Sequence, residues 1–183
     1  MAQDHLIIST AKTNLSQHDL WRFAVIMTWD NDHGTMGFVM NQPVANIQHS
    51  DISRMYGVGS LPNTRIWCGG PQLTDRCTVL HSPEYSCSDT SHITAHAAIT
   101  FNKQIIRDIN QGRGPRHYKI MLGHCQWESG QLDAELMRGL WHETSWHHTA
   151  WASYKRKDKM WRRIVEQNSC QHANSFLDSV FSE

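Results

Sequence analysis

Apolar positions in this chain fall in short runs broken by polar, glycine- and proline-bearing stretches, a spacing that predicts several short strands and few helices. Leu6–Ser9 is the first run, and a polar loop over Thr10–Gln17 follows it. Phe23–Trp29 is longer and partly β-branched, and Asn31-Asp32-His33-Gly34 is a turn cluster, so a hairpin is expected there. Its second strand is Gly34-Thr35-Met36-Gly37-Phe38-Val39-Met40, stopped at Asn41-Gln42-Pro43 because proline has no N–H to give a ladder. Gly34 and Gly37 suit a positive φ or a close backbone approach.

Further along, Ser50 or Asp51 is placed to cap a short helix with Ile52, Met55 and Tyr56 on one side and Gly57 as its stop. Arg65–Cys68 and Cys77–His81 read as strands, and Ile93–Ile99 reads as a strand although its alanines suit a helix too. Asn102–Asn110 carries Ile105, Ile106 and Ile109 at helical spacing with Gly112 just beyond. Tyr118–Leu122 is strand-like, with a turn region from Gly123 to Trp127. Ser129 is then expected to cap a helix with Leu132, Leu136 and Met137 inward and Asp133 and Glu135 near its positive end. Trp141–Trp151 is irregular on pattern, and Lys155–Gln167 is expected to be helical, burying Trp161, Ile164 and Val165. Runs of strands with single helices between them predict an α+β fold with a mixed or mainly antiparallel sheet.

Composition narrows the function classes. The 183 residues suit one domain, and 17 basic residues balance 17 acidic ones, so no global field draws in nucleic acid or an anionic membrane. The 5 cysteines are odd in number and contain no Cys-x-x-Cys, which argues against a disulfide framework and suits a reducing cytoplasm. The first residues lack the basic and apolar regions of a signal peptide, and no apolar run approaches the roughly 20 residues of a membrane span. A soluble cytoplasmic protein without membrane association is expected.

Three segments carry a resemblance when taken in order: Gly34-x-x-Gly37-x-x-x-Asn41-x-Pro43; Gly69-Gly70-Pro71 followed by Val79-Leu80-His81; and Gly123-x-x-x-Trp127-x-x-Gly130-Gln131-Leu132-x-x-Glu135. At these distances the set resembles the AlgH/YqgE family of uncharacterised bacterial proteins, over about His5 to Trp141. The resemblance implies one compact domain over residues 1–183 with a curled mixed sheet flanked by helices. It also implies a cytoplasmic location and no established activity or cofactor; some members carry the label of a transcriptional regulator. His124-Cys125-Gln126 stands where the family usually has small residues, and Arg138-Gly139-Leu140 differs from its commoner Asn-x-Trp. The His- and Trp-rich segment 142–183 has no counterpart in the motifs.

No stretch assembles a complete catalytic set. His142, His147 and His148, with Glu143 and His124, are metal-ligand types, but they lack the His-x-x-x-His spacing that puts two rings on one helix face, and no metal is assigned. His124 and Cys125 are neighbours and point apart on an extended chain, which leaves His81 as the imidazole that folding would have to bring to Cys125 for a thiol hydrolase. Neither Gly69-Gly70 nor Gly123 has a phosphate-loop signature. The basic run Lys155, Arg156, Lys157, Lys159, Arg162 and Arg163, with Trp161 inside it, supports an alternative reading as a direct DNA-binding regulator. The favoured reading is a non-catalytic protein that binds a small ligand or a protein partner in a pocket built by Asn41, His81, Trp127, Gln131 and Trp141, without a cofactor.

Overall fold

The computed structural model describes residues 5–14, 20–45, 47–146, 148–154 and 156–181, with backbone alone for 5, 14, 55 and 170–181. Among the described residues nine strands form one curled sheet in the order β6-β7-β5-β8-β3-β2-β1-β9, with β4 attached to β8. The strands are β1 (His5–Ser9), β2 (Val25–Asn31), β3 (Gly34–Val39), β4 (Ile66–Cys68), β5 (Gln72–His81), β6 (Thr90–His92), β7 (Ala98–Thr100), β8 (Tyr118–Trp127) and β9 (Trp141–Ser145). The helices are α1 (Ala11–Asn14), α2 (His49–Tyr56), α3 (Gln104–Asn110), α4 (Gln131–Met137) and α5 (Lys157–Phe181), with a 3₁₀ turn at His148–Trp151. Pairing is antiparallel throughout except between β4 and β8, so the sheet is mixed as expected.

Alternation along the strands sorts the core into two sides. Leu6, Ile8, Val25, Met27, Phe38, Leu80 and Met121 face one side, where Met160 and Ile164 of α5 and Ala150 of the 3₁₀ turn cover them. The residues between them face the other side. There Ile7, Ile26 and Val39 meet Leu132 and Leu136 of α4, and Val79, Ile120 and Leu122 meet Ile52 of α2 and Ile105 and Ile106 of α3. Strands buried on both faces read as continuous apolar runs, which is why Phe23–Trp29 is so evident in the sequence.

β8 is the spine. Its first half lies between β4 and β5, and its second half pairs with β3 through Gly37↔Cys125 and Thr35↔Trp127. The change of partner occurs at Gly123, whose φ is 68°, a left-handed conformation that only glycine adopts without strain. One residue in that conformation shifts the alternation. Met121 faces α5, whereas Cys125 and Trp127, at the same parity, face α4. The backbone of the second signature segment presses against this point, so that a Cβ on Gly70 would lie 2.2 Å from the carbonyl carbon of His124. A Cβ on Gly34 would lie 2.2 Å from the carbonyl oxygen of Trp127. The three signature segments are therefore glycine-lined backbone contacts along one strand.

Several local expectations are corrected. The region Gly123–Trp127 is strand, because Gly123 absorbs the irregularity within β8. Of the strand expected over Ile93–Ile99 only Ala98 and Ile99 are strand, opening β7; residues 93–97 are the turn from β6, closed by the Ile93 N–H on the Ala97 carbonyl and by His96 N–H on Thr94 Oγ1. α2 starts two or three residues earlier than a Ser50 or Asp51 cap implies, with Gln48 at the cap and Gly57 ending it at φ 60°; the Met55 side chain lies outside the described residues. α4 is preceded by Gly130 in the left-handed region in place of a Ser129 side-chain cap, and Met137 is 84% exposed, facing outward. Trp141–Ser145 becomes β9 because the free edge of β1 gives it a full ladder, Leu6↔Thr144 through Ser9↔Trp141. The loop expected over Thr10–Gln17 begins as the single turn α1, and residues 15–19 lie outside the described residues.

Candidate functional site

A cleft of about 340 Å³ opens between α1, the second half of β8 and α4. Trp127 ends β8, Gln131 and Glu135 sit one turn apart on α4, and Trp141 begins β9, so three successive elements aim these side chains at one place. Glu135 is the hub. Its Oε2 accepts the indole N–H of Trp141 at 2.7 Å and that of Trp127 at 3.0 Å, while Oε1 accepts the Gln131 amide at 3.0 Å. Gln131 in turn accepts the Glu128 N–H at 3.0 Å, fixing the entry to α4. Trp21 meets Trp141 edge to face, 5.8 Å between centroids at 81°, and Lys12 at the rim donates to the Arg138 carbonyl at 2.8 Å.

Trp127, Gln131 and Trp141 of the expected constellation thus come together, and the fold sends Asn41 and His81 elsewhere. Asn41 is 2% exposed and acts as a backbone clamp. Its Oδ1 accepts Val25 N–H at 3.0 Å, and its amide donates at 2.8 Å to the carbonyls of Phe23 and Lys157, tying β2 to the start of α5. His81 is fully buried opposite Tyr118, at the far end of β8 from Trp127. Nine residues of strand separate them, about 30 Å. Its Nδ1–H donates to the Ser82 carbonyl and its Nε2 accepts the Thr100 hydroxyl, both at 2.9 Å, and burial pulls its pKa down, which keeps the ring neutral.

The length of β8 also keeps Cys125 from His81. The Cys125 thiol lines the base of the cleft, contacts the Gly69 carbonyl at 3.5 Å, and is pushed far above the ordinary thiol range by burial. Such a thiol is a packing group. Among the described residues no three His, Cys, Asp or Glu side chains gather into a metal-binding set; His142 and Glu143 are exposed on β9, His148 is exposed in the 3₁₀ turn, and His147 lies outside the described residues.

The basic run is partly neutralised. Arg156 and Arg162 both bind the Asp158 carboxylate, at 2.8 and 3.2 Å, and hold its pKa below the usual range. Lys157 donates to Gln42 Oε1 at 2.9 Å; Lys159 and Arg163 are exposed, and Lys155 lies outside the described residues.

Sequence reasoning missed Glu135 as the hub and Trp21 as a wall. Glu135 stands in the third signature, four residues after Gln131 and so on the same helix face, which is the signal that marks it.

A family model described as AlgH-like matches residues 7–173. The chain belongs to the AlgH-like family. The match runs past Trp141 and takes in most of the His- and Trp-rich segment, including much of α5. A UPF0301 protein of Hamiltonella defensa is 30% identical over 146 residues, 76% of this chain and 77% of that one. A UPF0301 protein of Klebsiella pneumoniae is 27% identical over 76% of this chain and 77% of that one. The solution structure of the AlgH protein from Pseudomonas aeruginosa shares the fold, with a TM-score of 0.71 at 24% identity over 88% of this chain and 86% of that chain. The crystal structure of protein DIP2367 from Corynebacterium diphtheriae has a TM-score of 0.68 at 11% identity over 91% of this chain and 87% of that one. Among the described residues no helix is long and apolar enough to cross a membrane.

Proposed function

We propose that this AlgH-like protein acts in the cytoplasm by binding a small ligand, or a side chain of a protein partner, in the cleft beside Glu135, and that the binding serves regulation. One observation carries the reading: three motif residues, Trp127, Gln131 and Glu135, are joined to Trp141 in a closed set of hydrogen bonds at the wall of an open cleft. A cleft of this volume, with apolar walls and a few oriented polar groups, is what small-molecule recognition requires. Both indole N–H groups are engaged by Glu135, which suits a rigid receptor better than a reacting centre.

The test is a fragment screen monitored through indole N–H resonances. Binders are expected to shift Trp127 and Trp141 together, and Trp127→Ala is expected to weaken them at least tenfold. Turnover by purified protein across hydrolase and redox substrates, lost in Gln131→Ala, would overturn the non-catalytic reading.

A further inference from the structure

We propose that the cleft takes an organic ammonium group, seated against the faces of its tryptophans beside the Glu135 carboxylate; this deepens the binding reading given above and rests on it. Glu135 holds three hydrogen bonds, all from neutral donors, and among the described residues it forms no ion pair. A carboxylate has about four acceptor positions. Oε2 takes two indoles and Oε1 takes one amide, so Oε1 retains an acceptor position.

Geometry supplies the rest. Because Trp127 and Trp141 point their N–H edges at the same oxygen, the carboxylate lies off the edge of each ring, and both indoles border the cleft beside it. Trp21 stands nearly perpendicular to Trp141, which makes a corner of two indole surfaces. The face of an aromatic ring carries negative potential, so it attracts a cation and repels an anion. A carboxylate and an aromatic corner in one cleft act on the same sign of charge. The cation of the rim, Lys12, is drawn off to the Arg138 carbonyl and leaves Glu135 without a counter-charge.

Choline and its uncharged isostere 3,3-dimethylbutan-1-ol separate this inference from the reading beneath it. The two have nearly the same shape, so titration of the full-length protein with each, followed by tryptophan fluorescence and indole N–H shifts, isolates the charge. Choline is expected to bind at least about tenfold more tightly, a factor of ten being 1.4 kcal/mol. Its preference should fall with added salt and vanish in Glu135→Gln. Lys12→Met, which leaves the Glu135 hydrogen bonds in place, is expected to strengthen choline binding several-fold and so gives a second variant should Glu135→Gln fail to fold. Equal affinity for the two probes, or a weaker response to choline in Lys12→Met, would overturn the ammonium inference and leave the cleft a binding site. Silence from both probes and from the fragment screen would overturn both.

Discussion

At each end of β8 an ion meets a tryptophan, with one of the pair on the strand and the other on a neighbouring element, and the two arrangements are opposites. At Trp127 the partner is an anion, Glu135, met by the edges of two indoles at an open cleft. Near the start, Lys119 is 1% exposed and its Nζ lies 3.6 Å from the centre of the Trp67 ring, donating to the Ala152 carbonyl at 3.3 Å. That is a cation on an indole face, sealed beneath the segment that leads into α5. Residues 119 and 127 have the same parity, so a regular strand would put both on one side of the sheet. Gly123 sends them to opposite sides, and only the second borders the open cleft.

The largest expected effect comes from breaking the point that separates them. Gly70→Ala would drive a Cβ to 2.2 Å from the His124 carbonyl carbon and 2.5 Å from the Cys125 nitrogen, all backbone atoms with no rotamer to yield. Overpacking costs about 1–3 kcal/mol where side chains can move, and more where they cannot. A loss of at least about 3 kcal/mol is expected in denaturant melts, with the indole signals of both ends disturbed together. A variant that kept wild-type stability would show that the two ends are not joined through this contact.

Lys119 gives the next effect. Burial, helped by the charge of Arg65, pulls its pKa down to about 7, against the pull of the Trp67 face toward the charged form. Between about 7 and the ordinary lysine value near 10.4 the unfolded chain binds one proton more than the folded chain, so stability rises with pH across that window. Below pH 7 both states are protonated and the cost of the buried charge is present in full. Lys119→Met, similar in length and uncharged, is expected to gain on the wild type by about 2–3 kcal/mol at pH 6 relative to pH 9.5. Denaturation at the two pH values checks it; a difference independent of pH would mean that the amine is neutral throughout or reaches water.

Much of the fold was legible because its strands are apolar on both faces and its glycines stand where backbones touch. The α+β class, the β2–β3 hairpin and the helix at Gln104–Asn110 followed from periodicity and turn residues. What pattern could not give was the role of Gly123, since a lone glycine marks a turn or a bulge equally well, and the bulge is decided by Gly70 across the sheet. β9 was hidden for a similar reason: its alternation is weak, and the edge of β1 makes it a strand. Two of the five candidate-site residues failed to converge because Asn41 serves backbone groups distant in sequence, and because His81 sits at the opposite end of a long strand. The basic run showed its charge in the sequence, but not that Asp158 would gather two of its arginines.

The smallest effect distinguishes edge from face at the open end. Trp141→Phe keeps most of the ring and removes one N–H from Glu135 Oε2, while Trp127→Phe removes the other. Hydrogen bonds to a charged acceptor are worth about 1.5–3 kcal/mol when buried, but Glu135 is only half-buried and water at the cleft replaces part of the loss, so about 1 kcal/mol is expected for each. Because both donors share one oxygen, the double variant should cost more than the two singles added together: after the first loss the remaining indole still orients the carboxylate, and after the second only Gln131 does. Strict additivity in the double-mutant cycle would show that the tryptophans hold Glu135 independently. The closed set of bonds would then be two separate contacts, and the contrast with Lys119 would reduce to exposure alone.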